Sequence, residues 1–159
     1  MIFKQYIKFV CTLSLVLISN ALSADQHGHS LMIKDVWARE APPTAFNGAV
    51  YLVIHNSGKT DRLLGGSTPA ADAVELHTHV HENGLMKMQR LPQVEIPGAE
   101  VTEFKPGARH IMLFGLHQPL TAGSEFDLKL EFERAGEISL VVQVFKDGQQ
   151  PMPSMKHSE

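Results

Sequence analysis

The sequence predicts an all-β domain, a sandwich or barrel of short antiparallel strands, and three observations carry that expectation. From Leu31 onward, short runs rich in Val, Ile, Leu, Phe and Tyr are separated by Gly, Pro and Asn turn signals. Phe126, Leu128, Leu130 and Phe132 alternate with Glu125, Asp127, Lys129, Glu131 and Glu133, the period of two expected of a half-buried strand. No long window after the first residues shows the 3.6-residue period of an amphipathic helix.

Taken in order, the strand signals are these. Ile33 to Arg39 runs into Ala41-Pro42-Pro43-Thr44, and Ala49 to His55 is stopped by Asn56-Ser57-Gly58-Lys59. Arg62 to Leu64 follows, then Val74 to His81 and Leu85 to Leu91, separated by Asn83-Gly84, the strongest short hairpin signal. Val94 to Ile96 ends at Pro97-Gly98, Glu100 to Phe104 ends at Pro106-Gly107, and His110 to Leu116 comes next. Glu125 to Glu133 then turns at Ala135-Gly136 into a segment where Ile138, Leu140, Val142 and Val144 repeat the alternation. There is no internal repeat.

The ends read differently. Residues 1–23 have Lys4 and Lys8, an apolar stretch from Phe9 to Ile18, and Ala21-Leu22-Ser23 before Ala24, the pattern of a cleaved secretory leader. The apolar stretch is shorter than the ~20 residues a membrane helix needs, so no stable membrane insertion is expected after cleavage. Residues 24–30 form a polar lead-in carrying His27 and His29, 31–147 the folded domain, and 148–159 a proline-broken tail with Met152, Met155 and His157.

Composition then excludes several functions. Loss of residues 1–23 turns 14 basic and 17 acidic residues into 12 and 17, moving the net charge from −3 to −5. That balance argues against nucleic acid as a partner, which calls for a basic patch. The one cysteine, Cys11, lies inside the leader and lacks the small-residue context of a lipid-modified cysteine. The remaining chain therefore has no thiolate to offer, which rules out cysteine-ligated iron–sulfur and blue-copper sites and a cysteine nucleophile.

What it does offer is a run of softer ligands: His77, His79, His81, Met86, Met88, His110 and Met112. A two-residue turn at Asn83-Gly84 places His81 opposite Met86, His79 opposite Met88 and His77 opposite Arg90, all on one face. The other face carries Val74, Leu76, Val80, Leu85 and Leu91 as a candidate core face. His110 and Met112, two apart in a strand, also share a face. Thioether sulfur favours Cu(I) over hard cations and imidazole binds copper in both oxidation states, so a thiolate-free His/Met set points to copper. A neutral ligand set leaves the ion's charge uncompensated, which predicts a shallow or exposed site from which the ion can be transferred. His55 and His117 have no such company and read as surface or structural residues.

With these residues in place, the chain resembles the periplasmic copper chaperone family called PCu(A)C, whose signature is His, ten residues, Met, twenty-one residues, then His-x-Met. His77, Met88, His110 and Met112 reproduce that spacing. The resemblance runs from about Ile33 to Phe145 and includes Asp35-Val36-Trp37-Ala38-Arg39, Ala49-Val50-Tyr51-Leu52, Asp61-Arg62-Leu63 and Gly115-Leu116. It implies a cupredoxin-like β-sandwich or barrel, a primary Cu(I) site at His77, Met88, His110 and Met112, and copper supply to cytochrome oxidase assembly in the periplasm. One departure is His79, where the family often has Met; with His81 and Met86 it could admit Cu(II) or a second ion. Met152, Met155 and His157 resemble the Met/His-rich extensions of some members. His27 would complete a square-planar Cu(II) site if Asp25 became the first residue.

The expected role is therefore a non-enzymatic carrier that passes Cu(I) to a copper-accepting periplasmic or membrane protein, such as an oxidase subunit or another copper chaperone. Copper storage or detoxification is the alternative, suggested by the extra ligands. A zinc-dependent hydrolase using His77, His79 and His110 is the third; it needs a general base near the ion, and Glu82 at the turn and Glu75 one pair beyond the histidines are poorly placed for that.

Overall fold

The computed structural model describes residues 30–82 and 84–149. The leader at 1–23, most of the lead-in with His27 and His29, Asn83, and the tail residues Met152, Met155 and His157 lie outside the described residues. Ten strands follow one another: β1 (Leu31–Arg39), β2 (Asn47–Asn56), β3 (Asp61–Ser67), β4 (Ala71–Glu82), β5 (Leu85–Leu91), β6 (Val94–Ile96), β7 (Glu100–Phe104), β8 (His110–Leu116), β9 (Glu125–Phe132) and β10 (Gly136–Phe145). Among the described residues no helix is long and apolar enough to cross a membrane.

The strands pair in the order β5-β4-β8-β2-β1-β10-β9-β3-β6, with β7 also on β2. Every pairing is antiparallel except that of β1 with β10, which is parallel. That one pairing departs from the otherwise antiparallel pattern expected. Hairpin turns force antiparallel neighbours, whereas the first and last strands meet without a short connection and are free to run the same way. The core lies between the curled halves of this sheet, where Val50, Leu52 and Ile54 of β2 and Ile111 and Leu113 of β8 are joined by Leu128, Leu130 and Val142, all essentially inaccessible. The period-two alternation of β9 is thus the signature of one face in this core.

Three local irregularities aim side chains. In β1 the register shifts by one residue between Lys34 and Trp37, and Asp35 takes a left-handed φ of 50°. The extra residue is a β-bulge. It sends Ala38 into the core beside Val50 and turns Trp37 to the opposite face, against Tyr51.

The second irregularity lies between β7 and β8. Both pair with β2, Leu52 with Phe104 and Val50 with Ile111, so a single residue of β2, Tyr51, spans the gap opposite the intervening segment. That excursion is closed by the Lys105 N–H donating to the Arg109 carbonyl at 2.8 Å and the Ala108 N–H donating to Lys105 at 3.1 Å, and Gly107 has a φ of 78°. The Pro-Gly pair is therefore an insertion in what is otherwise one continuous edge, and it delivers His110 at the head of β8.

The third is buried Asp61, whose carboxylate accepts from the N–H groups of Arg62, Arg134 and Ala135 at 2.7, 2.9 and 3.0 Å. It ties the start of β3 to the β9–β10 turn. Satisfying three backbone donors at once makes a buried carboxylate tolerable.

Candidate metal site

The hairpin register matches the expectation: His77 pairs with Arg90, His79 with Met88, His81 with Met86 and Glu82 with Leu85. Gly84 has the positive φ, 78°, that a two-residue hairpin connection demands. On its other side β4 pairs with β8, which sets His77 directly opposite His110 and Glu75 opposite Met112. Residues distant in sequence are thereby gathered on one face of three adjacent strands.

Exposure is graded across this face. His77 and His110 are buried at 9% and 2% accessibility, Met112 and His79 are half-buried, and Met88 is 49% exposed. The expected shallow or exposed site is met at Met88 and corrected at His77 and His110, which are buried. β4 and β8 are interior strands flanked on both sides, while β5 is an edge strand with no further strand beside it among the described residues, and Met86, Met88 and Leu85 are exposed. For the same reason the second face of the hairpin is only partly a core face: Leu76 is buried, but Leu85 is 64% exposed.

The imidazoles are close. Ring centroids are 6.2 Å apart for His77 and His110 and 5.0 Å for His79 and His110. Two imidazoles sharing an ion at metal–nitrogen distances of about 2.0–2.1 Å have ring centres about 5–6 Å apart. The spacing fits bridging by one ion, with His77 and His110 at the long limit. His79 lies between Met88 and His110, more central than its place outside the four-residue signature suggested. His81 and Met86 form an exposed pair farther out.

Hydrogen bonds fix which nitrogens face inward. His110 Nδ1 lies 2.9 Å from the Ala108 carbonyl, which can only accept, so Nδ1 carries the proton and Nε2 keeps its lone pair. Burial pushes the His110 imidazole below the usual histidine range, His79 and His77 add to this, and the Ala108 carbonyl opposes it. A neutral ring is what a metal ligand requires. His77 Nε2 lies 2.9 Å from Glu75, and its Nδ1 is buried with no hydrogen-bond partner, the sole such side-chain atom among the described residues. A buried ring nitrogen without a hydrogen-bond partner calls for an explanation, and this one belongs to a residue paired with His110 across β4 and β8.

Phe114, 5.7 Å from His77, and Tyr51, 6.5 Å from His110, wall the site on the buried side. Tyr51 in turn packs on Trp37 at 4.6 Å. Sequence reasoning missed this aromatic wall because the bulge that aims Trp37 has no simple sequence signal. His55 and His117 stay outside; His117 bonds Asp72 at 2.8 Å and the Pro69 carbonyl at 3.0 Å. Among the described residues no three His, Cys, Asp or Glu side chains form a group able to hold a metal. The three-histidine zinc arrangement is not preassembled among them.

Fold and site together define a cupredoxin-like β domain with a His/Met cluster, part buried and part exposed, on one face of three strands. The family model described as "Putative lipoprotein LpqE-like" matches residues 31–144, and the chain belongs to this LpqE-like family, which is related to PCuAC. Among curated relatives, "Putative lipoprotein Lxx21020" of Leifsonia xyli subsp. xyli is 27% identical over 127 residues, covering 79% of this chain and 76% of the relative. "Uncharacterized protein RP573" of Rickettsia prowazekii is 29% identical over 103 residues, which span 64% of this chain and 57% of that protein. Among solved structures, the copper-bound PCuAC domain from PmoF2 superposes with a TM-score of 0.63 at 22% identity, covering 74% of this chain and 93% of that one. The Cu(I) form of DR1885 from Deinococcus radiodurans gives a TM-score of 0.61 at 24% identity, covering 79% and 87%. At these identities the likeness is one of fold.

Proposed function

We propose that the protein is an exported copper-binding metallochaperone that carries Cu(I) on His77, Met88, His110 and Met112 and passes it to a copper-accepting protein. The observation that carries this reading is the orphaned Nδ1 of His77 opposite the neutral, buried His110, with Met88 and Met112 on the flanking positions. Two buried imidazoles anchor the ion, and thioethers, one of them on an exposed edge strand, complete a soft shell. That gradient suits ligand exchange: an incoming partner displaces the exposed Met88 first, while the buried histidines still hold the ion. The copper bound by the PmoF2 PCuAC domain and by Cu(I)-DR1885 supports the choice of metal.

Cleavage after residue 23 and release to the periplasm go with this reading, and the "lipoprotein" names of the relatives support export. The proposed recipient is an oxidase subunit or another chaperone in cytochrome oxidase copper-centre assembly. His79, His81 and Met86 are proposed as auxiliary donors that widen the site to Cu(II) or a second ion, with His27, Met152, Met155 and His157 as further candidates. The decisive experiment is X-ray absorption of Cu(I)-loaded protein lacking residues 1–23: two nitrogen and two sulfur scatterers support the set, and an all-nitrogen shell overturns it.

A storage or detoxification role is favoured by one observation, the exposed His81–Met86 pair beside the main cluster. A deletion strain separates the two. Loss of oxidase activity confined to low copper supports delivery, and copper sensitivity with normal oxidase supports sequestration.

A further inference from the structure

Glu75 is a carboxylate that the ligand signature does not include, yet it contacts both His77 and Arg90. It is two residues before His77 on β4, so both side chains leave the same face of the strand. Its Oε2 lies 2.9 Å from His77 Nε2 and 3.4 Å from the Arg90 Nε. Arg90 is the direct cross-strand partner of His77 on β5, and Met112 is the direct partner of Glu75 on β8. The side chain of Glu75 is largely covered, with 26% accessibility. One carboxylate oxygen, Oε2, therefore contacts both the Arg90 guanidinium and a ring nitrogen of His77.

We propose that Glu75 is a positioning residue that selects Nδ1 as the copper-binding atom of His77. An ionised carboxylate can only accept, so the contact places the ring proton on Nε2 and leaves Nδ1 as a bare lone pair. Nδ1 is the buried atom left without a partner, which is the outcome this selection produces. In the other tautomer Nε2 and the carboxylate oxygen would face each other as two acceptors, and a buried Nδ1–H would be left without an acceptor. His110 is set in the opposite sense, its Nδ1 proton taken by the Ala108 carbonyl, so that it binds through Nε2. The two paired histidines of β4 and β8 thus keep different nitrogens unprotonated. A carboxylate or carbonyl on the far ring nitrogen of a metal-ligating histidine orients the ring and raises its basicity. Glu75 also sets one negative charge beside an otherwise neutral ligand set.

This inference rests on the copper reading, and its test separates the two. The first measurement is made without metal: long-range proton–nitrogen NMR of the full protein lacking residues 1–23 reads the His77 tautomer directly. Nε2–H is expected in the wild type and in Glu75→Gln, whose amide oxygen can accept the same proton, and a mixture of tautomers in Glu75→Leu. Glu75→Ala is a second truncation should the leucine variant not fold. The second measurement is Cu(I) affinity by competition with a chromophoric chelator, expected to fall about 10–100-fold in the truncations and to be largely retained in Glu75→Gln.

An Nδ1–H tautomer in the wild type overturns the proposal, as do truncations that keep both tautomer and affinity. Loss of one oxygen or nitrogen scatterer from the Cu(I) absorption spectrum of Glu75→Gln overturns it too, because it makes Glu75 a direct ligand. A wild type that takes up no Cu(I) sinks the copper reading alone, since the metal-free tautomer still decides what Glu75 does to His77.

Discussion

His77 and His110 face each other directly across β4 and β8, 33 positions apart in the sequence, with ring centroids 6.2 Å apart. Neither is held by the other. His77 leans on Glu75 and His110 on the Ala108 carbonyl, so both rings are oriented before any ion arrives. Preorientation of this kind lowers the ordering cost of binding.

Removing the rim should uncouple binding from folding. Met88→Ala deletes a thioether that is 49% exposed on an edge strand, so stability should change by no more than about 0.5 kcal/mol. Cu(I) affinity should nevertheless fall, and fall further with Met112→Ala added. Chelator competition beside thermal unfolding checks this, and a double variant with wild-type affinity would show that the assigned sulfur ligands are wrong.

The converse is expected of Asp61. Asp61→Ala leaves the N–H groups of Arg62, Arg134 and Ala135 without their acceptor, at a cost of about 1–3 kcal/mol for each donor that stays buried. Urea unfolding should show a loss of at least about 2 kcal/mol, with Cu(I) stoichiometry intact in the fraction that remains folded.

His110 gives the metal-free protein a pH dependence of defined sign. Burial lowers its folded-state pKa below the ordinary value of 6.5, so between these two values the unfolded chain binds the proton and the folded one does not. Its contribution is complete above about pH 6.5 and is lost as pH falls through the folded value. His117 works in reverse: Asp72 and the Pro69 carbonyl raise its pKa, so its contribution is present below 6.5 and is lost as pH rises through the folded value. His117 lies at the exposed surface and its effect should be small. Denaturant unfolding of the wild type against His110→Gln measures the first effect, and the steeper loss on acidification should belong to the wild type.

Removing residues 150–159 tests the tail. If Met152, Met155 and His157 supply a second site, copper stoichiometry should drop while the Cu(I) spectrum of the main site is unchanged. Equal stoichiometry in both oxidation states would remove the tail from the proposal.

The sequence by itself determined the strands and the hairpin register. Alternation in β9 and β10 and the Asn-Gly turn are local signals, and a two-residue turn fixes every pair that follows it, so His79 opposite Met88 was legible from spacing alone. The four-residue spacing also named the candidate ligands without any geometry.

What only the tertiary structure decided is how those residues stand to one another. Pairing of β8 with β4 joins segments far apart in the chain, and no local pattern sets its register; it places Glu75 opposite Met112 and His77 opposite His110. Strand order made β4 and β8 interior and β5 an edge, which buries the histidines and exposes Met88. Glu75 looked one pair too far along the hairpin to matter. On a strand, though, a residue two positions away shares the face, and a glutamate is long enough to span that step and fix the ring of His77.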